Sequence, residues 1–271
     1  LGLRKNQLEV EIDMARIFIT GSSTGLGLAA AQSLLAAGHA VVLHARDAER
    51  AAALKTEVPQ ALAIVTGDLS LLSETRALAD EVNAIGSMDA IIHNAGLYGA
   101  TGKGRTVEGH SVMTAVNLLA PYVLTACIDP PKRLVYMSSG LHRGGNAGLE
   151  DLDWIKRRWQ ADQAYADTKL QIVGLALAVA RHRPDVLSNA VDPGWVRTRM
   201  GGASAPVDIA TGQATQSWLA ASDDEAARTS GGYWHAMQRE EPAAPAENPD
   251  YGDRLLAVLQ ALTGVTIGAG R

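Results

Sequence analysis

Arg16-Ile17-Phe18-Ile19-Thr20-Gly21-Ser22-Ser23-Thr24-Gly25-Leu26-Gly27 is the stretch on which the fold turns. Arg16–Thr20, apolar and β-branched, reads as a strand. A glycine-rich turn follows it. Leu26–Ala37, rich in Ala and Leu, then reads as a helix with Gly38 placed to stop it. Glycines in such a turn permit a sharp bend, a close approach of backbone to a pyrophosphate, and tight packing of helix on strand. The first helical turn offers unpaired N–H groups and the positive end of the helix dipole to phosphates. Gly21, Ser23, Thr24, Gly25, Leu26 and Gly27 are therefore candidate contacts for a dinucleotide. No Gly-Lys-Ser/Thr follows, which disfavours a P-loop.

Outward from this unit the pattern repeats. Ala40–Ala45 is the next strand, Asp47–Glu57 a helix, Ala61–Thr66 a strand, Ser73–Ile85 a helix and Met88–His93 a fourth strand. A helix around Val112–Ala126, a strand at Arg133–Met137, a helix at Asp162–His182 and a strand at Val186–Val191 continue it. Near-continuous apolar strands alternating with helices predict an α/β fold with a doubly wound, Rossmann-like parallel sheet covered on both faces. Gly231-Gly232-Tyr233-Trp234 reads as a short final strand. Glu240–Pro249, rich in Pro and Ala, reads as a connection to a last packing helix, Tyr251–Leu262. A length of 271 residues fits a single domain running from residue 14 to 271. Residues 1–13 alternate charged and apolar side chains ahead of Met14 and read as an extension or an appended remnant.

Composition narrows the function. Hydrophobic residues make up 47% and charged residues 20%, which suits a packed core rather than disorder. A net charge of −5 supplies no basic field for nucleic acid or an anionic lipid surface. With one cysteine, Cys127, neither an intrachain disulfide nor a cysteine-rich zinc site is expected, and the thiol reads as a small buried hydrophobe. The longest unbroken apolar or glycine run, Ile172–Ala180, falls well short of the roughly 18 residues of a membrane span. With no secretory h-region visible, a cytoplasmic protein without membrane or nucleic-acid partners is the expectation.

The second strand ends in His44-Ala45-Arg46. In a dinucleotide fold this strand end meets the adenosine ribose, and an acidic residue there would accept from the 2′-hydroxyl of NAD. Ala45 and Arg46 offer space and a cation instead, which suits the 2′-phosphate of NADP(H) over NAD(H). The plainer alternative is a solvated arginine paired with Asp47 or Glu49. Asp68, before Leu69 at the end of the third strand, would accept from the adenine amino group or cap the following helix. Asn94-Ala95-Gly96 ends the fourth strand with small residues beside which a cofactor would pass.

Tyr165 and Lys169 stand at i and i+4 in a predicted helix and so share one face. A free phenol titrates near 10 and is a poor acid or base at neutrality, whereas a nearby ammonium would favour phenolate. Alone, the pair also reads as a surface pair on an amphipathic helix. Its context is Val135-Tyr136-Met137-Ser138-Ser139-Gly140 upstream and Asn189-Ala190-Val191-Asp192-Pro193-Gly194 downstream.

Together with Thr20–Gly27, Asn94–Gly96 and Asn117, these motifs resemble the short-chain dehydrogenase/reductase family over roughly residues 14–200. The resemblance implies NAD(P)-dependent hydride transfer between a small-molecule carbonyl compound and its alcohol. In it, Tyr165 would donate or accept the proton, and Lys169 would hold the ribose hydroxyls and depress the tyrosine pKa. Ser139 would hydrogen-bond the substrate oxygen, and Asn117 would position a water linking Lys169 to solvent. Pro193 and Gly194 would close over the nicotinamide, with Val196 and Thr198 near its carboxamide.

Ser139 and Tyr165 are 26 positions apart, longer than the family's common spacing. The intervening segment, from His142 through Trp154 to Trp159, is similar to retinol-dehydrogenase-like and daunorubicin-ketoreductase-like members. Trp154, Trp159, Trp195 and Met200 would line an apolar pocket for a bulky substrate or simply pack beneath a loop. His142 would reach substrate or be structural. The stretch from Asn117 to Arg133 leaves little room for a long dimerisation helix, so a monomer and a homodimer both stay open. Two other readings compete with a ketoreductase or dehydrogenase. A cofactor-binding sensor without turnover would have no need of an acid, and a sugar-nucleotide isomerase or dehydratase would need a larger C-terminal region.

Overall fold

A computed structural model describes residues 14–268; the stretch read as an N-terminal extension, 1–13, lies outside them. The strands are β1 (Arg16–Ile19), β2 (Ala40–Ala45), β3 (Ala63–Thr66), β4 (Ala90–His93), β5 (Arg133–Met137), β6 (Leu187–Asp192), β7 (Gly232–His235) and β8 (Gln238–Glu240). They form one sheet in the order β3-β2-β1-β4-β5-β6-β7-β8, parallel from β3 to β7 and antiparallel at β7–β8. The chain winds outward from β1 to β3, then crosses back to β4 beside β1. The ends of β1 and β4 thus meet at the topological switch point, where open α/β sheets bind ligands.

Period-two alternation gives each face of the sheet its own core. Ile17 and Ile19, with Val41, Leu43, Ile92 and Val135, pack beneath Ala30 and Leu34 of α1 (Gly25–Ala36) and Leu219 of α7 (Ile209–Ala221). Phe18, Val42, Ile91, Leu134 and Tyr136 face the other way. They pack against α3 (Leu72–Ile85), α5 (Ala120–Cys127), α6 (Ala161–His182) and α9 (Pro249–Thr263). A helix capped by Asp47, α2 (Ala48–Glu57), and two short helices, α4 (Val112–Thr114) and α8 (Ala244–Glu247), complete the set. Among the described residues no helix is long and apolar enough to cross a membrane.

Several predicted elements needed amendment. The helix expected over Val112–Ala126 is interrupted by a π turn, Ala115–Leu119, between α4 and α5. The sequence reading passed over α7 and β8. Glu240–Pro249, read as a linker, contains α8 and ends where α9 begins. The β7–β8 turn is Ala236-Met237, both left-handed (φ 47° and 59°), and Thr215 on α7 holds the Met237 N–H at 3.0 Å.

Candidate active site

The glycine turn and the end of β4 interlock. Thr20 Oγ1 accepts the Ala95 N–H at 3.0 Å, and Asn94 Nδ2 donates to the carbonyls of Thr20 and Gly21 at 3.0 and 3.2 Å. No larger residue fits at two of the glycines: a Cβ on Gly21 would lie 2.9 Å from Ala95 Cα, and one on Gly27 2.4 Å from Asn94 Nδ2. Gly21 and Gly25 are also left-handed, at φ 62° and 61°. Ser22 is buried and ties the turn to β2, accepting the His44 N–H at 2.8 Å.

His44 is a residue that sequence reasoning missed. Its Nδ1 accepts the Gly21 N–H at 2.9 Å, so its Nε2 donates to the Gly67 carbonyl, also at 2.9 Å. One neutral imidazole therefore braces the strand ends of β1, β2 and β3, and burial lowers its pKa to keep it neutral. Only the adjacency of its strand to the glycine turn hinted at this.

The first turn of α1 is left open to a ligand. Its N-cap, Thr24, makes no side-chain cap hydrogen bond and no acidic residue sits in the turn, whereas Asp47, Asp208 and Asn248 cap α2, α7 and α9. Ser23 is half-buried and Thr24 exposed beside it. A cleft of about 680 Å³ runs past the ends of β2 and β3, lined by Arg46, Asp47, Thr66, Gly67, Asp68 and Glu74. The Arg46 side chain is 58% exposed, its Nε 3.7 Å from Asp47 Oδ2, so the aspartate pairing coexists with a guanidinium open to a ligand. Asp68 Oδ1 accepts the Ser70 N–H at 2.9 Å, closing a turn ahead of α3 rather than capping it. Leu69 is buried in the core. The segment after β6 folds back over this end: Thr198 Cγ2 would be 3.7 Å from a Cβ on Gly25, and buried Val196 packs on Gly212 of α7. Asp192 Oδ1 accepts the Gly194 N–H at 2.9 Å and sets the Pro193-Gly194 turn.

The chemical residues converge beside it. Asn117 lies in the π turn, where one extra residue per turn re-aims the side chain. Its Oδ1 accepts the Leu97 N–H at 2.7 Å, and its Nδ2 donates to the Leu97 carbonyl at 3.0 Å and to Thr168 Oγ1 at 3.2 Å. Asn117 Oδ1 and Lys169 Nζ both stand 3.6 Å from where a Cβ on Gly96 would be, so a side chain there would occupy the corner between them. Tyr165 and Lys169 are both buried on α6, and Ser139, two residues past the end of β5, stands close enough to the Tyr165 phenol to act on its pKa. Ser138 instead anchors α6 to the sheet, its hydroxyl donating to the Lys169 carbonyl at 2.9 Å.

Burial sets the electrostatics of the pair. Burial pushes the Tyr165 phenol up to about 12, with the nearby Ser139 hydroxyl opposing. Burial likewise brings Lys169 down to about 8, against the attraction of Asp192. The Lys169 ammonium donates to the Met137 carbonyl at 2.7 Å and lies 5.4 Å from the centre of the phenol ring, so burial rather than the ammonium sets the direction of the tyrosine's shift. Of its two readings His142 takes the structural one: it is fully buried, donating from Nδ1 to the Ser139 carbonyl at 2.8 Å and accepting the Ala243 N–H at Nε2. It props the serine loop rather than reaching a substrate.

Of the four large side chains expected in a pocket, two are beside Tyr165. Trp154 and Trp159 pack against a cluster of Met113, Ala164 and Tyr165, joined by Tyr98 from the loop after β4. Trp195 and Met200, at 57% and 48% exposed, are held in a separate loop by a Trp195 hydrogen bond to the Gly201 carbonyl. Tyr98 was missed because nothing in its local sequence marks it. Cys127 is half-buried against the core rather than fully enclosed. No group of three or more His, Cys, Asp or Glu able to hold a metal occurs among the described residues.

Comparison with known proteins agrees with this geometry. The short chain dehydrogenase family profile matches residues 15–135. Short-chain dehydrogenase chry4 of Gibberella zeae is 40% identical over 258 residues, covering 94% of this chain and 99% of its own length. Human retinol dehydrogenase 13 is 26% identical over 280 residues, covering 92% of this chain and 84% of its own. A solved structure from Mycobacterium paratuberculosis superposes with a TM-score of 0.81 at 25% identity, covering 93% and 94% of the two chains. With the glycine turn, the Ser139–Tyr165–Lys169 cluster and a relative alike along nearly the whole length, the chain belongs to the short-chain dehydrogenase family, NAD(P)-dependent oxidoreductases of CH–OH and C=O groups.

Proposed function

We propose that this chain is an NADP(H)-dependent oxidoreductase that interconverts a carbonyl compound and its alcohol, with Tyr165 as the general acid/base. The observation that carries the reading is the convergence of the buried Tyr165 phenol and Lys169 ammonium on the corner where Asn117 and Lys169 flank Gly96, with Ser139 close by. The dinucleotide fits the residues present: α1 has a first turn with no side-chain cap and no acidic residue, and the Gly96 corner between Asn117 and Lys169 is one that a Cβ would fill. Gly21–Gly27 would hold the pyrophosphate, Arg46 the 2′-phosphate, and Asp68 with Leu69 the adenine edge. Asn94–Gly96 and Lys169 would hold the nicotinamide ribose, and Pro193, Gly194, Val196 and Thr198 the nicotinamide. Bound there, the cofactor supplies or accepts the hydride.

The protein's own groups do the rest. Ser139 fixes the substrate oxygen against the Tyr165 hydroxyl. A phenol held near 12 is protonated at neutral pH, which equips the site to donate a proton and so to run as a reductase. Lys169, titrating near 8, is charged at neutrality and stabilises negative charge appearing on the phenol as the proton leaves. Asn117 ties the Leu97 backbone to Thr168 on the tyrosine helix and so keeps Tyr165 in register with the end of β4.

The deciding experiment is a nicotinamide-consumption screen, with NADPH and NADH, against aromatic, polycyclic and aliphatic ketones and aldehydes. NADPH oxidation with at least one carbonyl compound is the expected result. Tight NADPH binding with no turnover of any carbonyl would instead make the chain a cofactor-binding sensor. We propose, too, that it works in the cytoplasm on small-molecule partners, and fractionation of the producing cell tests the location.

A further inference from the structure

Trp154 is one of three non-glycine residues with positive φ among the described residues, and the other two form the tight β7–β8 turn. A left-handed tryptophan is an uncommon and unfavourable conformation, held only where its surroundings over-determine it. They do so here. The Asp151 carboxylate accepts the N–H groups of Ile155, Lys156 and Arg157 at 2.7, 3.0 and 3.1 Å. The Arg157 guanidinium lies 3.9 Å over the Trp154 ring and donates to buried Asp167 at 3.0 Å. Asp167 sits on α6 two residues beyond Tyr165. The loop is thereby clamped to the helix that carries the phenol, with its indole plane fixed.

What the clamp presents is aromatic surface. Trp159 meets Trp154 edge-to-face at 5.6 Å. From a different loop, Tyr98 meets Tyr165 edge-to-face at 4.8 Å, its hydroxyl donating to Asp162 at 2.8 Å. All three rings keep partly exposed surface, whereas Tyr165 beside them is buried. Because the three rings pack against the cluster that holds Tyr165, they are the partly exposed apolar surface offered to the substituent of a carbonyl compound at its hydroxyl. Rings prefer offset or edge-to-face partners of their own kind over saturated groups of equal size.

We infer that the 151–159 loop, with Tyr98, is a specificity device for planar aromatic carbonyl compounds, in which the Asp151–Arg157–Asp167 clamp pre-sets the Trp154 ring. The inference rests on the carbonyl-reductase reading above. Pre-setting matters because a rigid aromatic wall gives up little conformational freedom when a ligand stacks on it.

The test compares 2-acetylnaphthalene with its fully saturated analogue, at saturating NADPH, for the parent, Trp154→Asn and Arg157→Gln. Asparagine tolerates the left-handed backbone, so Trp154→Asn removes the ring while leaving the loop its conformation. The parent should prefer the aromatic ketone in kcat/KM, and each variant should lower that preference by about two- to tenfold. Tyr98→Leu should do the same, whereas Tyr98→Phe, which keeps the ring, should not; this pair decides the matter if the loop variants fail to fold. Calorimetric titration of the parent and Trp154→Asn with 2-acetylnaphthalene should show the same loss in affinity without reference to turnover. Reduction of both ketones with equal kcat/KM, or a preference that survives loss of the rings, overturns the inference and leaves the reductase reading intact. Failure of the parent to reduce either ketone or any carbonyl in the wider screen overturns the reading, and the inference with it.

Discussion

Replacing Lys169 with methionine should abolish efficient catalysis yet leave the fold as stable as the parent or more so at neutral pH. Methionine keeps the unbranched stem that fills the buried channel and removes only the charge. Burial has displaced the ammonium from 10.5 to about 8. At about 1.36 kcal/mol per pH unit, this corresponds to about 3 kcal/mol of penalty for keeping it charged in the fold. Against that stands the hydrogen bond to the Met137 carbonyl, worth about 1.5–3 kcal/mol for a charged donor. The net effect of the substitution lies between about zero and +2 kcal/mol, where shortening an ordinary buried side chain costs about 2 kcal/mol or more. The sign with pH follows from proton uptake. Between pH about 8 and 10.5 the unfolded chain still binds this proton and the folded chain has released it, so parent stability rises with pH across that window. The variant lacks the group, and the groups common to both chains cancel in the difference. Urea unfolding of both proteins at neutral pH and near the top of that window measures the gap. A variant markedly less stable than the parent at neutral pH, or a gap unchanged across the window, would refute the reasoning.

Tyr165→Phe should lower kcat by about 10²- to 10⁴-fold while NADPH affinity, read by fluorescence titration, stays close to the parent's; an active variant would sink the proton-donor role. Arg46→Ala should weaken NADPH by about ten- to a hundredfold, through loss of a charge-assisted contact, and spare NADH. Equal losses for both cofactors would remove the 2′-phosphate contact from the reading. Gly27→Ala would place a methyl group 2.4 Å from Asn94 Nδ2 and 2.5 Å from the Gly21 carbonyl, so both the melting temperature and NADPH affinity should fall, by about 1–3 kcal/mol in stability.

The parts of the fold legible in the sequence are those whose cause is local. β2 and β5 were read to the residue because apolar runs of the right length are bounded by a glycine, a proline or a charge. α7 escaped because Gly212 and a scatter of polar residues hide its buried face. The glycine is there because a Cβ would lie 2.5 Å from Val196 Cγ2, a contact made across the fold. The hairpin to β8 escaped because Ala-Met is not the Asn-Gly or Asp-Gly signal of a left-handed turn; a threonine on another helix stabilises it. The π turn at Asn117 adds one residue within a run whose composition is helical throughout, which periodicity does not register.

The candidate site divides along the same line. Glycine turn, strand-end motifs, Ser139 and the Tyr165–Lys169 pair are each legible as local motifs, and the parallel topology carries them to the same end of the strands. Tyr98 and the clamped Trp154 were not placed, because their geometry arises from contacts between separate loops and one helix. The tyrosine shows the limit most sharply. Helical spacing does place Tyr165 and Lys169 on one face, and from that alone an ammonium that lowers the phenol's pKa follows. In the fold both side chains are desolvated, and the ammonium is directed at the Met137 carbonyl on β5. Burial then dominates and drives the phenol upward. A spacing rule fixes which side chains are neighbours; where the buried charge points is decided by a backbone carbonyl thirty-two positions away, and how far each group is moved from its ordinary pKa is decided by the burial that the whole fold imposes.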